Sequence, residues 1–162
     1  MKEFQNQKMA IHRLSKPTRF VYSAFLTFSL ISYVVMIVIA TQRAGWFPGG
    51  VSDYFLGNEA RDTYPKTTGE LLEVSHFHLF TIPLMLLVQG HIFVMSSFSK
   101  KWIHWVVTAS FISGAFYITG PWLVIYIGPS TAIIGIFGRF ILIVTLFIMT
   151  IYPLKDMWRF KE

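Results

Sequence analysis

Four long apolar runs dominate this chain of 162 residues. They cover approximately residues 20–41, 76–97, 102–127 and 131–152. A helix needs about 20 apolar residues to cross the hydrocarbon core of a bilayer, and each run reaches that length. Charged residues make up 14% of the sequence, against roughly 25% in a usual soluble domain. The runs therefore predict an all-α, four-helix transmembrane bundle.

The spacing of the runs predicts a single integral membrane domain over residues 1–162, because the only connection of any size is residues 42–75. The first run has about 21 apolar residues, which exceeds the 7 to 15 of a secretory signal, so we expect a retained helix. The third and fourth runs are separated by Gly128-Pro129-Ser130, which makes them antiparallel neighbours. Small residues permit these two helices to approach closely. They are Ser110, Ser113, Gly114 and Ala115 on the third run, and Gly135 and Gly138 on the fourth.

Positive charge is concentrated at one end of the predicted bundle. Both tails and the connection between the second and third runs carry most of the cations: Lys2, Lys8, Arg13, Lys16, Arg19, Lys100, Lys101, Lys155, Arg159 and Lys161. Lys and Arg near membrane ends are retained on the cytoplasmic side. We therefore expect cytoplasmic N and C termini, a long periplasmic loop at residues 42–75, and multi-pass insertion in a bacterial inner membrane. The net charge of +6 then reflects topology and contact with the lipid bilayer, not nucleic acid.

The sequence has no cysteine, which excludes disulfides, thiolate metal sites, iron–sulfur clusters and covalent c-type haem attachment. Histidines, carboxylates and methionines remain as ligands. Titratable side chains within a hydrocarbon-length segment are costly and usually mark a cofactor, a metal or a proton path. His76, His78 and His91 in the second run are therefore the first candidates for a functional site.

In an ideal helix His76 and His91 lie within roughly 60° of each other and about 22 Å apart along the axis. With Gln89-Gly90-His91-Ile92-Phe93, the second run resembles the ligand-bearing helices of membrane b-type cytochromes, where each histidine holds one of two stacked haems. The resemblance implies that haem b is bound through His76 or His78 and His91. Those cytochromes supply a second histidine from another helix, and here His104 is the candidate facing His91. At most one bis-histidine haem is expected per chain, and a haem near the loop would need a methionine, five-coordinate iron or a partner subunit.

A second resemblance covers most of the chain. The segment Glu70-Leu-Leu-Glu73-Val-Ser-His76-Phe-His78-Leu-Phe, in an N-in four-helix layout, resembles a group of small uncharacterised bacterial inner-membrane proteins. It implies a fold and a location but no activity.

A metal site is the alternative interpretation of the same segment. Glu73 and His76 form a Glu-x-x-His motif, one turn apart on one helix face, as in di-iron carboxylate bundles. With Glu70 and His78 they could bind Fe, Zn or Cu. The motif does not recur on another run, so a di-iron centre is not expected.

Arg139 is the other unusual residue, about 13 Å into the fourth run by helical rise. An arginine at that depth should face the bundle interior and meet a negative partner, such as a haem propionate, Glu70 or Glu73. Each candidate also has a structural alternative. Histidines can hydrogen-bond at a helix start or to a neighbouring helix, His104 can anchor the interface, and Arg139 can form a structural ion pair.

Three functions are compatible with these patterns. The first is a small integral membrane subunit of a respiratory or other redox electron-transfer complex, holding haem b through the second helix or working with a quinone or a periplasmic cytochrome. The second is a non-catalytic accessory subunit of a larger membrane assembly, joined to other membrane subunits or to copies of itself. The third is a membrane metal-binding protein that uses Glu70, Glu73, His76 and His78.

Overall fold

The computed structural model describes residues 10–159, and these residues form an all-α structure. The helices are α1 (Lys16–Arg43), α2 (Pro48–Leu56), α3 (Thr68–Val94), α4 (Lys100–Tyr126) and α5 (Ala132–Arg159), with short 3-10 turns at Ile11–Arg13, Glu59–Arg61 and Pro129–Thr131. Within the described range α1, α3, α4 and α5 are long and apolar enough to cross a membrane. The predicted all-α class and its four long helices are confirmed. Lys2, Lys8 and Lys161, part of the predicted charge asymmetry, lie outside the described residues.

The four long helices run alternately up and down, which gives the bundle two distinct ends. We call the end with residues 44–67 the loop end and the end where α1 begins and α5 finishes the tail end. At the tail end the Trp158 Nε1 donates a hydrogen bond to Ser23 Oγ (2.9 Å). At the loop end the Trp122 Nε1 donates one to Ser75 Oγ (2.7 Å). The assignment of the tail end to the cytoplasm stays a prediction.

The predicted bounds of the long loop, residues 42–75, are wrong, because much of this stretch is helical. Helix α1 continues to Arg43, α2 lies within the stretch, and α3 begins at Thr68 instead of His76. Thr67 starts α3 with a capping box: its Oγ1 accepts from the Glu70 backbone N–H (3.2 Å), and its own N–H donates to Glu70 Oε2 (2.8 Å). A capping box satisfies two otherwise unpaired backbone donors at a helix start. This local cap extends the helix beyond the apolar run.

Helix α5 also exceeds its predicted end at Tyr152 and continues to Arg159. The added turns are amphipathic, with Met157 and Asp156 buried against the rest of the tail end. Asp156 accepts hydrogen bonds from the backbone N–H of Ser97 (2.6 Å) and from Ser97 Oγ (2.8 Å). The carboxylate therefore fixes the connection between α3 and α4 to the last turns of α5.

The pair α4 and α5 forms the most extensive helix interface, and glycines bring the two backbones together. A Cβ on Gly120 would lie 2.6 Å from Gly135 Cα, and a Cβ on Gly138 would lie 2.7 Å from Phe116 Cβ. The prediction that Gly135 and Gly138 permit close approach is confirmed. Their contacts on α4 are Gly120 and Phe116, whereas Ala115 is exposed. Small residues at a contact drive association in membranes, where lipid is as apolar as the side chains.

The glycine contact predicts the effect of one added methyl group. Gly138→Ala should lower the free energy of unfolding by about 1–3 kcal/mol, because the backbone at Tyr117 cannot move away from the new Cβ. The loss is measured as a lower thermal unfolding temperature of the protein in detergent. Gly49→Ala is the matched control, since a Cβ there meets nothing within 4 Å. Equal effects of the two substitutions would contradict the packing described.

Candidate functional site

A cavity of about 760 Å³ lies in the loop-end half of the bundle, and we call it the loop-end cavity. One wall is α1, which packs against α5 and is joined to α3 by a buried hydrogen bond from the Gln89 amide to the Tyr33 hydroxyl. The apolar lining on this side consists of Ile31, Val35, Met36 and Ile39. The lining also includes polar and charged side chains: Arg43, Tyr54, Lys66, Glu70, Glu73, Ser75, His78, Tyr117 and Arg139. The cavity is therefore amphipathic.

Arg139 is the buried charge of this cavity, with a residual exposure of 9%. Its Nη1 donates a hydrogen bond to the Gly45 carbonyl oxygen (3.0 Å), and its guanidinium lies 5.5 Å from the centre of the Trp46 ring. Its Nε is buried and has no hydrogen-bond partner. Among the described residues Arg139 forms no ion pair, so neither Glu70 nor Glu73 is the negative partner that the sequence suggested.

The backbone turn after α1 places the Gly45 carbonyl oxygen within hydrogen-bond distance of Arg139. Gly45 has a φ of +67°, in the left-handed region that glycine adopts without strain. Its N–H donates to the Ala40 carbonyl oxygen (2.9 Å), which ends α1 and turns the Gly45 carbonyl toward α5. The Trp46 Nε1 donates to Thr41 Oγ1 (2.7 Å) and thereby fixes the indole beside the guanidinium. The chain supplies one acceptor and one aromatic face to Arg139.

His78 lies on the opposite wall, half-buried against Tyr117, with the two rings 5.5 Å apart and perpendicular. Its Nδ1 lies 2.8 Å from the Val74 carbonyl oxygen. A carbonyl oxygen can only accept, so Nδ1 carries the proton and Nε2 is the ring atom that can accept a hydrogen bond or bind a ligand. Of the candidate histidines, His78 is the one whose side chain lines the loop-end cavity.

Both carboxylate oxygens of Glu70 bind residues at the start of α3. Its Oε1 forms an ion pair with Lys66 Nζ (2.9 Å), and its Oε2 accepts from the backbone N–H and the hydroxyl of Thr67. The bond from Lys66 to Glu70 raises the pKa of the Lys66 ammonium above its ordinary value. Glu73 also lines the cavity but forms no ion pair among the described residues. The two glutamates therefore differ in role, although the sequence grouped them together.

The structure does not gather the predicted metal ligands into one cluster. Across residues 10–159, no group of three or more histidine or carboxylate side chains lies close enough to hold a metal ion. Glu70 caps α3, His78 faces Tyr117, and His76 is exposed on the bundle surface. Metal binding by Glu70, Glu73, His76 and His78 stays a prediction without support from this arrangement.

The other histidines of the haem prediction also lie on the surface. His91 on α3 is exposed, and His104 on α4 is exposed with its ring 6.2 Å from that of Trp105. Neither side chain lines the loop-end cavity. Haem binding through His76, His91 and His104 stays a prediction, and a haem held at this surface would project away from the bundle interior.

Three residues of the cavity did not stand out in the sequence. Arg43, Tyr54 and Tyr117 were not among the candidate residues, although all three line the cavity. Tyr117 gave one usable signal, since a phenol within an apolar run needs a polar neighbour. The others are brought to the cavity by the fold of residues 44–67, which no local pattern indicates.

A family of proteins described as a transmembrane helical domain matches residues 45–162 of the chain. The matched region contains α2, α3, α4 and α5, and α1 lies outside it. No curated protein and no solved structure gives a significant match. The protein is a multi-pass membrane protein with four candidate spans in contact with lipid.

The different roles of the two glutamates predict different mutational effects. Glu70→Ala should remove the capping box and lower the unfolding temperature by about 2–4 °C in buffer containing a chelator, since such caps contribute about 1 kcal/mol. Glu73→Ala is the control and should leave the unfolding temperature unchanged. A loss of stability shared by both variants when metal is present, and absent from the comparison in chelator, would instead indicate joint metal binding.

Proposed function

The chain belongs to the transmembrane helical domain family, and from this premise we propose that it is a small membrane subunit that binds an amphipathic, lipid-soluble molecule in the loop-end cavity. The polar head of the ligand accepts a hydrogen bond from Arg139. Its apolar part lies along α1. In this proposal the loop end faces the periplasm of a bacterial inner membrane, and the ligand is taken from the adjoining leaflet.

The incomplete bonding of the Arg139 guanidinium, which donates one hydrogen bond to Gly45 and forms no ion pair among the described residues, is the observation that supports this function. An unsatisfied buried donor costs about 1–3 kcal/mol, and more when it is charged. Arg139 lies about two turns into α5 and is 9% exposed. The protein part of the site supplies one carbonyl and no carboxylate. An acceptor oxygen from a ligand would complete the arginine's bonding.

The apolar wall supports an amphipathic ligand over a small polar one. Ile31, Val35 and Ile39 line the cavity and remain 54%, 50% and 44% exposed, so they present hydrocarbon to whatever occupies it. The cavity volume falls within the range of about 300–1,000 Å³ usual for ligand pockets. Because these cavity-lining side chains of α1 are exposed, a ligand can enter sideways from the membrane.

Two kinds of membrane molecule share the required chemistry. A quinone presents carbonyl oxygens on an apolar tail, and a lipid presents ester or phosphate oxygens on acyl chains. Either would make the protein an accessory or redox-linked subunit of a larger membrane assembly.

A haem-bearing redox subunit is the second candidate. It is favoured by the exposure of both His76 and His91 on α3, where ligands from a partner subunit could reach them. In that case haem would supply electron transfer between two depths of the membrane, and each histidine would supply one axial ligand.

The binding proposal is tested by titrating delipidated protein in detergent with a decyl-substituted benzoquinone and, separately, with a short-chain phospholipid. At least one probe should bind and raise the unfolding temperature. Arg139→Gln should weaken that binding by about 10- to 100-fold, as expected for the loss of a charge-assisted hydrogen bond. Arg159→Gln, at the exposed tail end of the same helix, is the matched control. If neither probe binds, or if both variants bind like the wild type, the proposal is wrong.

The haem candidate is tested by the visible absorption spectrum of protein purified with its membrane partners. A Soret band that disappears in His91→Ala and persists in His12→Ala would support haem ligation by α3. Absence of a Soret band in the wild-type preparation would eliminate this candidate without affecting the binding proposal.

A further inference from the structure

The charges that line the loop-end cavity specify the head group of its ligand. We infer that the ligand is a zwitterionic phospholipid whose head group carries a phosphate and a primary ammonium. The phosphate is bound by Arg139 and Arg43, and the ammonium is bound by Glu73. This inference rests on the proposed function and names the substrate class of the same cavity.

The charged side chains of the cavity separate into paired and unpaired groups. Lys66 and Glu70 neutralise each other at 2.9 Å. Arg43, Arg139 and Glu73 also line the cavity, and none of the three forms an ion pair within residues 10–159. The cavity therefore presents two cations and one anion that do not contact each other. Opposite charges held apart across one cavity are complementary to a ligand that itself carries both signs.

Burial makes Arg139 the strongest of these contacts. It is 9% exposed and has a buried, unpartnered Nε. A guanidinium binds phosphate through parallel N–H donors, and such charge-assisted bonds are about twice as strong as neutral ones. No described carboxylate competes for this guanidinium. A phosphate oxygen fits this position better than a quinone carbonyl, because it also supplies the missing negative charge.

A second opening places the head group at the membrane surface. A cleft of about 650 Å³ at the loop end shares Arg43, Tyr54, Lys66 and Glu70 with the loop-end cavity. The polar end of the cavity therefore adjoins this cleft among residues 42–70, and its apolar end lies along α1. Lipid head groups occupy this interfacial depth, with acyl chains extending into the membrane.

Glu73 determines which phospholipid is preferred. Its carboxylate is exposed and only accepts hydrogen bonds. A primary ammonium offers three donors, a quaternary ammonium offers none, and a glycerol head group has no cation. The expected order of binding is therefore phosphatidylethanolamine first, with phosphatidylcholine and phosphatidylglycerol weaker.

The test is native mass spectrometry of the full chain in detergent. The protein is first equilibrated with equimolar phosphatidylethanolamine, phosphatidylcholine and phosphatidylglycerol of matched acyl chains. A decyl-substituted benzoquinone is added to the same mixture. One phosphatidylethanolamine should be retained about tenfold more often than either other phospholipid. Glu73→Gln should bring phosphatidylethanolamine and phosphatidylglycerol to near parity. Glu59→Gln, a surface carboxylate near the loop end that lines neither cavity, should change nothing.

Arg139 variants separate the inference from the proposed function. Arg139→Gln should lose retention of all three phospholipids, and Arg139→Lys, which keeps the charge, should restore part of it. Retention of the benzoquinone in place of phospholipid, with the same dependence on Arg139, would overturn the inference and leave the proposed function standing. Equal retention of all phospholipids in every variant would indicate annular lipid only and overturn both. Failure to retain any probe would also overturn both.

Discussion

One buried guanidinium, that of Arg139, constrains the structure of the loop-end half of this bundle. Arg139 lies within the membrane-spanning part of α5 and finds a single protein acceptor, the Gly45 carbonyl. A cation removed from water needs compensating partners, and the cost of leaving it incomplete is several kcal/mol. The left-handed turn at Gly45 and the position of Trp46 both serve this side chain. The cavity beside it is where the missing partner would lie.

Close packing in one part of the bundle produces the open space in another. Gly120, Gly135 and Gly138 bring α4 and α5 into backbone contact, and this pair is the rigid centre on which the other helices rest. Helix α1 packs on α5 and meets α3 at the hydrogen bond between Tyr33 and Gln89, and the loop-end halves of α1 and α3 line the cavity. Helix α1 lies outside the region that matches the family. The family match therefore does not cover the α1 wall of the cavity.

The sequence predicted the membrane-spanning elements because run length and hydropathy are local properties. It also identified Arg139, since a charge within an apolar run is visible without a structure. It did not predict α2, whose Gly- and Pro-containing start is typical of a turn. The roles predicted for the histidines of α3 stay predictions, because spacing along a helix does not reveal which face meets protein. Of those histidines, only His78 lines the cavity. The positions of Tyr117 and Arg43 in the same lining depend on long-range packing.

The central claim is that an oxygen from outside the chain completes the bonding of Arg139, and in the form argued above that oxygen belongs to a phosphate. Solid-state NMR of protein with ¹⁵N-labelled arginine in phosphatidylethanolamine bilayers measures contact between guanidinium nitrogens and lipid phosphorus directly. We predict a phosphorus-coupled Nη signal that disappears in the Arg139→Gln protein. A spectrum in which every phosphorus-coupled arginine signal survives that substitution would contradict the account.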